Sequence, residues 1–304
     1  MSCSCETLEA SSLSGKGNNG LLKYKTDIFT QNGEDGVVEK IFQEIGAGKR
    51  KCCEFGAWDG VRASNCRRLI LEGWKALMIE GDHARCKELE RTYLNNPDVK
   101  CVECFVDCDR NSIGSICRKY DFEDLDLLSV DIDGFDYQIC ESLDIMPRVI
   151  VVEINAGHAP ESEDSIPVDV AKNNVGQPFG RFVRWARLRG YCFVCYTGNA
   201  FFVRSDCLVN TSLRDIGGSE AYDEFISNLD RKSRSWLFMV NLGLAGPLYR
   251  FGNPRLGYWS LGLGVKDIIQ IFRQVAKKTG WPATMRRFVR TFCMAVAGKT
   301  GSVA

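Results

Sequence analysis

Residues 51–60 read KCCEFGAWDG: a short apolar run, a carboxylate at its end, and two glycines with a second acid between them. An apolar run of this length closed by glycine predicts a buried strand entering a tight turn. The same pattern recurs outward along the chain. Trp74–Asp82 (WKALMIEGD), Val99–Asp107 (VKCVECFVD), Leu125–Asp133 (LDLLSVDID) and Arg148–Asn155 (RVIVVEIN) are four more strand patterns. Helical stretches are predicted between them at Ser64–Glu72, His83–Leu94, Ser112–Tyr120 and Asp136–Leu143, and a further helix at Gln177–Arg189. Strands alternating with helices of this length predict a parallel sheet covered on both faces. Tyr191–Tyr196 and Ala200–Arg204 read as two closing strands joined only by Thr197-Gly198-Asn199. So short a connection cannot cross over, so these two pair antiparallel and one strand of the sheet is reversed.

Ligands of open α/β sheets sit beyond the carboxyl ends of the strands. The five strand ends here deliver Glu54, Glu80, Asp107, Asp131 with Asp133, and Glu153 with Asn155. The first turn reads E-x-G-x-x-x-G through Glu54, Gly56 and Gly60, with Asp59 beside it. A dinucleotide fold wants G-x-G-x-x-G facing a pyrophosphate, which acid would repel. Acid here suits a cationic sulfonium or ammonium group. Gly56 lets backbone approach the ligand and Gly60 permits the turn. Glu80 is positioned to accept from two ribose hydroxyls, and Asp107 from an adenine amino group. Together these residues describe a pocket for S-adenosylmethionine.

The segments Thr30–Val37 (TQNGEDGV), Cys53–Asn65 (CEFGAWDGVRASN), Gly73–Asp82, Leu127–Tyr137 (LLSVDIDGFDY), Val149–Asn155 and Asn199–Val203 resemble the FkbM-like S-adenosylmethionine-dependent methyltransferases over about residues 28–205. The resemblance implies a Rossmann-like methyltransferase fold, a mostly parallel seven-stranded sheet with the last strand antiparallel. It also implies methyl transfer to an oxygen, often a sugar hydroxyl. A hydroxyl is a poor nucleophile and needs a general base or a metal. Asp131, Asp133 and Asp136 form D-x-D-x-x-D at the end of the fourth strand. With Glu153 and Asn155, Asp131 and Asp133 make an oxygen-rich candidate site for Mg²⁺ or Mn²⁺. The alternative is that Asp131 holds the methionine end of the cofactor and Asp136 caps the following helix. Asp131, Asp133 and His158 are the candidate catalytic residues, His158 as base or as a solvated loop histidine. His83 reads as a surface residue. Gln31, Glu34 and Asp35 precede a helix, and either fold over the site or cap that helix.

The 304 residues hold 39 Lys and Arg against 39 Asp and Glu, yet residues 231–304 contain 13 bases and one acid, Asp267. The neutral total excludes a uniformly basic nucleic-acid binder, and no nucleic-acid recognition motif is present. The division predicts a flexible segment at 1–27, a methyltransferase domain at 28–210 and a basic, partly helical extension at 211–304. Two amphipathic basic stretches within 265–296 suit either packing on the acidic body or peripheral contact with a membrane surface. Fifteen cysteines at irregular spacing, behind a polar segment Met1–Lys16 without an apolar core, read as thiols of a reducing, cytoplasmic compartment. Cys101-x-x-Cys104 and Cys192-x-x-Cys195 lie in strands, where residues three apart face opposite sides, so buried thiols are expected rather than zinc. Two functions follow: a methyltransferase acting on a small-molecule or glycan hydroxyl, or a non-catalytic relative docking through its basic tail.

Overall fold

The protein is described by a computed structural model over residues 19–132, 135–154, 177 and 179–228. Seven strands form one sheet: β1 (Lys51–Phe55), β2 (Lys75–Glu80), β3 (Val99–Glu103), β4 (Leu127–Val130), β5 (Val149–Glu153), β6 (Tyr191–Tyr196) and β7 (Asn199–Arg204). Their order is β3-β2-β1-β4-β5-β7-β6. The pairings among β1 to β5 are parallel, and β7 runs antiparallel to both β5 and β6. This is the mostly parallel, seven-stranded Rossmann-like sheet with a reversed last strand that the sequence predicts. Strand order changes direction between β1 and β4, which opens a crevice at the carboxyl ends of these two strands.

Seven helices cover the sheet among the described residues: α1 (Glu34–Ile45), α2 (Arg67–Leu71), α3 (His83–Thr92), α4 (Ile113–Lys119), α5 (Asp136–Ser142), α6 (Phe179–Leu188) and α7 (Gly218–Asn228). Apart from the edge strand β3, which exposes Lys100 and Glu103, the strands are buried on both sides, as a doubly covered sheet demands. One face buries Phe55, Ile79, Val130 and Val152 against α4 to α7. The other buries Cys52, Met78, Leu127 and Val151 against α1 to α3. The core extends past both ends of the 28–210 segment. Leu21 and Leu22 join the second face, and Ile216, Tyr222 and Phe225 join the first.

Element ends follow side-chain capping. Asp82 accepts from Arg85 N at 3.0 Å and starts α3; Ser112 accepts from Ser115 N at 3.3 Å and starts α4. The helix expected from Ser64 begins at Arg67 with Cys66 at its N-cap position and no side-chain cap, while Ser64 Oγ accepts from Arg67 N at 3.0 Å in the turn before it. The third strand, expected to reach Asp107, leaves the ladder after Glu103. Asp107 Oδ1 instead accepts from Asp109 N at 2.8 Å and Asn111 N at 2.9 Å, a turn closed by its own carboxylate.

The cysteine pattern carries one correction. Cys192 and Cys195 pack on the same face of the sheet, not on opposite faces. A register shift between Phe193 and Cys195 adds a residue and resets the alternation. The twelve described cysteines are all free thiols. No helix among the described residues is long and apolar enough to cross a membrane. Residues 1–18 and 229–304, including the basic stretches, lie outside the described residues.

Candidate active site

A cavity of about 630 Å³ lies at the carboxyl ends of β1, β2, β4 and β5. Its size falls in the ordinary range for a cofactor or small-molecule site. Glu54, Gly56, Glu80, Asp131 and Glu153 line it, together with Gln31, Trp58, Arg62, Ser64, Arg85 and Phe105. Four of the five strand ends therefore bring a carboxylate to one space. The fifth does not: Asp107 faces its own turn, and Cys104, Phe105 and Val106 line the cavity in its place. The turn amides hold the Asp107 carboxyl below its ordinary range.

Gly56 and Gly60 shape the first turn in different ways. Gly56 has φ +74°, and a Cβ there would stand 2.0 Å from the carbonyl oxygen of Asp131. Only glycine lets the β1 loop lie so close to the end of β4. Gly60 has φ +72° and sits against Tyr93, whose hydroxyl donates to Gly60 O at 2.6 Å. Asp59 Oδ1 accepts from Val61 N and Arg62 N, both at 2.9 Å. Asp59 and Gly60 thus hold the turn from behind and do not line the cavity.

Glu54 is buried. Its carboxylate accepts from Ser64 Oγ and, at 2.7 Å, from Asn65 N. Burial pushes its carboxyl up to about 7, although Ser64 and Asn65 pull the other way. Asn65 Nδ2 in turn donates to Ser129 Oγ at 3.0 Å, tying the β1 loop to β4. Glu80 is also buried. Its Oε2 accepts from Trp58 N and its Oε1 from Asp82 N, each at 2.8 Å. Each carboxylate oxygen keeps one more lone pair for a ligand hydroxyl.

Of the two readings of the loop before α1, folding over the site holds and capping does not, because the N-cap position is Gly33 and no side chain caps the helix. Gln31 lines the cavity. Asp35 Oδ2 accepts from the backbone N–H of Ile28, Phe29 and Thr30 at 2.8, 2.7 and 3.1 Å, which fixes the loop that carries Gln31. Glu34 Oε2 accepts from Asn32 N at 2.8 Å, and its Oε1 from Thr197 Oγ1 at 2.9 Å, joining this loop to the β6–β7 hairpin.

Asp133, Asn155 and His158 lie outside the described residues. Of the candidate metal ligands, Asp131 and Glu153 share the cavity wall. Among the described residues no group of three or more His, Cys, Asp or Glu is arranged to hold a metal ion. Asp136 Oδ1 accepts from Ile132 N at 2.9 Å, closing the turn that follows β4. His83 is exposed, with its Nδ1 2.8 Å from Glu103 Oε2. Sequence reading missed Trp58, Arg62, Arg85 and Phe105. Trp58 and Arg62 lie inside the quoted first-turn segment, and the only signal was their place between or beside its glycines.

No family model matches the chain, and no curated protein is similar to it in sequence. Among solved structures it is similar to a SAM-dependent methyltransferase from Aquifex aeolicus, at 11% identity over 55% of this chain and 88% of that one, with a TM-score of 0.34. It is similar also to a TehB-like SAM-dependent methyltransferase from Corynebacterium glutamicum ATCC 13032, at 15% identity over 59% and 89%, with a TM-score of 0.36. At such low identity the function has to be read from the residues of the cavity.

Proposed function

We propose that the chain is an S-adenosylmethionine-dependent methyltransferase of the FkbM-like kind, acting on a hydroxyl of a sugar or another small molecule. The observation that carries this reading is the β1–β4 crevice, where Gly56 closes on the carbonyl of Asp131 while Glu54, Glu80, Asp131 and Glu153 line one cavity. The donor set fits the cofactor: carboxylates for a cation, a buried acid with spare lone pairs for a diol, and apolar Ile79 and Phe105 beside it.

S-adenosylmethionine, when bound, supplies an electrophilic methyl group on a sulfonium sulfur. In this reading Glu80 accepts from the ribose hydroxyls, and the Gly56 turn with Asp131 receives the methionine end. Asp131 stands between cofactor and acceptor, and the acceptor proton passes to Asp131, Asp133 or His158. With both bound, methyl transfer to the acceptor oxygen would release S-adenosylhomocysteine as the neutral thioether, and the base would keep the acceptor proton. The chain's contribution is alignment and a proton acceptor, worth about 10²–10⁴-fold for the base alone. Asp131 and Glu153 would contribute oxygens to Mg²⁺ or Mn²⁺ if such an ion bound.

Calorimetric titration of the full chain with S-adenosylmethionine and S-adenosylhomocysteine, with and without divalent ions, tests the reading. Saturable binding that Glu80→Ala weakens at least tenfold is expected. Absence of binding under every condition would overturn it.

A further inference from the structure

The carboxylates account for one side of the cavity, and the other side is built differently. Trp58 lies inside the first turn with φ +47°, a conformation that costs a bulky side chain energy. Its indole is 38% exposed at the cavity wall. Two guanidinium groups flank that one ring, Arg85 with its carbon 5.0 Å and Arg62 with its carbon 6.0 Å from the centroid. Both arginines line the cavity. Arg62 has one carboxylate near it, Asp59 at 3.7 Å, a long contact made by an arginine side chain that is itself 74% exposed and so is held weakly. Asp59 is already occupied by two backbone amides. The Arg85 guanidinium has no ion-pair partner among the described residues.

Arginines stacked on an aromatic face keep their in-plane N–H groups pointing outward, which is the geometry that takes an oxyanion in a bidentate manner. The position of the cluster narrows what the oxyanion belongs to. Trp58 N is bonded to Glu80 Oε2, so the cluster adjoins the carboxylate assigned to the ribose diol. A cofactor oriented as in the proposed function has its own carboxylate at the Asp131 end. The anion at Trp58 then comes from the second substrate.

We propose that Arg62, Trp58 and Arg85 form an anion subsite, and that the methyl acceptor is a phosphate ester or diphosphate held there through its phosphate oxygens. This inference rests on the methyltransferase reading for the acceptor and on geometry alone for the subsite.

The test is calorimetric titration of the full chain with inorganic pyrophosphate and, separately, with S-adenosylhomocysteine. The wild type is compared with Arg85→Ala, Arg62→Ala and Arg85→Lys. Pyrophosphate binding to the wild type should weaken about tenfold or more in each alanine variant and less in Arg85→Lys, as loss of a charge-assisted bidentate contact requires. Affinity for S-adenosylhomocysteine should stay within about twofold throughout. Three results overturn the inference: no pyrophosphate binding by the wild type, equal binding by the variants, or a parallel loss of S-adenosylhomocysteine affinity. The last would assign the arginines to the cofactor's carboxylate. Pyrophosphate binding that follows the arginines in a protein that ignores S-adenosylhomocysteine would keep the subsite and remove the methyl-transfer reading.

Discussion

Glu54 is where burial and charge conflict most openly. Its carboxyl titrates near 7 in the folded chain because desolvation outweighs the donors Ser64 and Asn65. An unfolded glutamate titrates near its ordinary 4.5. The folded form therefore holds its proton more tightly, and the stabilisation is fully present below 4.5 and lost as pH rises to about 7. That difference amounts to about 3 kcal/mol. Urea unfolding across this window should show the wild type losing about that much relative to Glu54→Gln, which cannot titrate. Parallel profiles would mean that Glu54 is ionised throughout. In the proposed methyl transfer, Asp131, on the neighbouring strand end, is the described candidate for the chemical step. Asp131→Asn keeps the shape and removes the base, so kcat should fall about 10²-fold or more, with affinity for S-adenosylhomocysteine changed far less. An unchanged kcat would move the base to Asp133 or His158.

At the scale of the element, the β1 turn shows what sequence can and cannot say. The apolar runs of β1, β2 and β4 to β7 were legible because a doubly covered strand has no polar face to disguise it. Glu54, Glu80, Asp131 and Glu153 were legible as carboxylates at strand ends. Asp107 left the set because a carboxylate two and four residues before unpaired amides closes a turn, a local competition that the strand pattern conceals. Ser64 and Asn65 were not legible as the partners of Glu54, nor Ser129 as the partner of Asn65, since these bonds join residues 10, 11 and 64 apart in sequence. The bulge that brings Cys192 and Cys195 to one face adds a residue to the ladder without any glycine to announce it. The Gly56 requirement could be read from sequence, but its cause is tertiary. Gly56→Ala combines positive φ with a Cβ 2.0 Å from Asp131 O, so β1 and β4 must separate at the cavity. A loss of at least about 2 kcal/mol in chemical unfolding is expected, together with loss of S-adenosylhomocysteine binding. Full affinity in the alanine variant would remove the turn from the cofactor site.

The whole molecule sets the unit that must be kept intact. The charge division of the sequence falls at residue 231. Leu21 and Leu22 complete one face of the sheet, while Ile216, Tyr222 and Phe225 complete the other. The carboxyl-terminal part is also bonded in, with Ile216 N donating to Phe193 O at 2.9 Å and Arg187 paired with Asp215 at 2.7 Å. Burying each of those five apolar side chains is worth about 1.5–3 kcal/mol. Their sum is comparable to the whole stability of a domain, about 5–15 kcal/mol. A chain of residues 19–228 should therefore unfold in one cooperative urea transition and retain S-adenosylhomocysteine affinity. A chain of residues 28–210 should bind a dye specific for exposed apolar surface and show no cooperative transition. If 28–210 folds as well as 19–228, the flanking segments are accessories to the core. If 19–228 fails while the full chain folds, residues 229–304 carry part of the stability, and the basic segment belongs to the body that it balances.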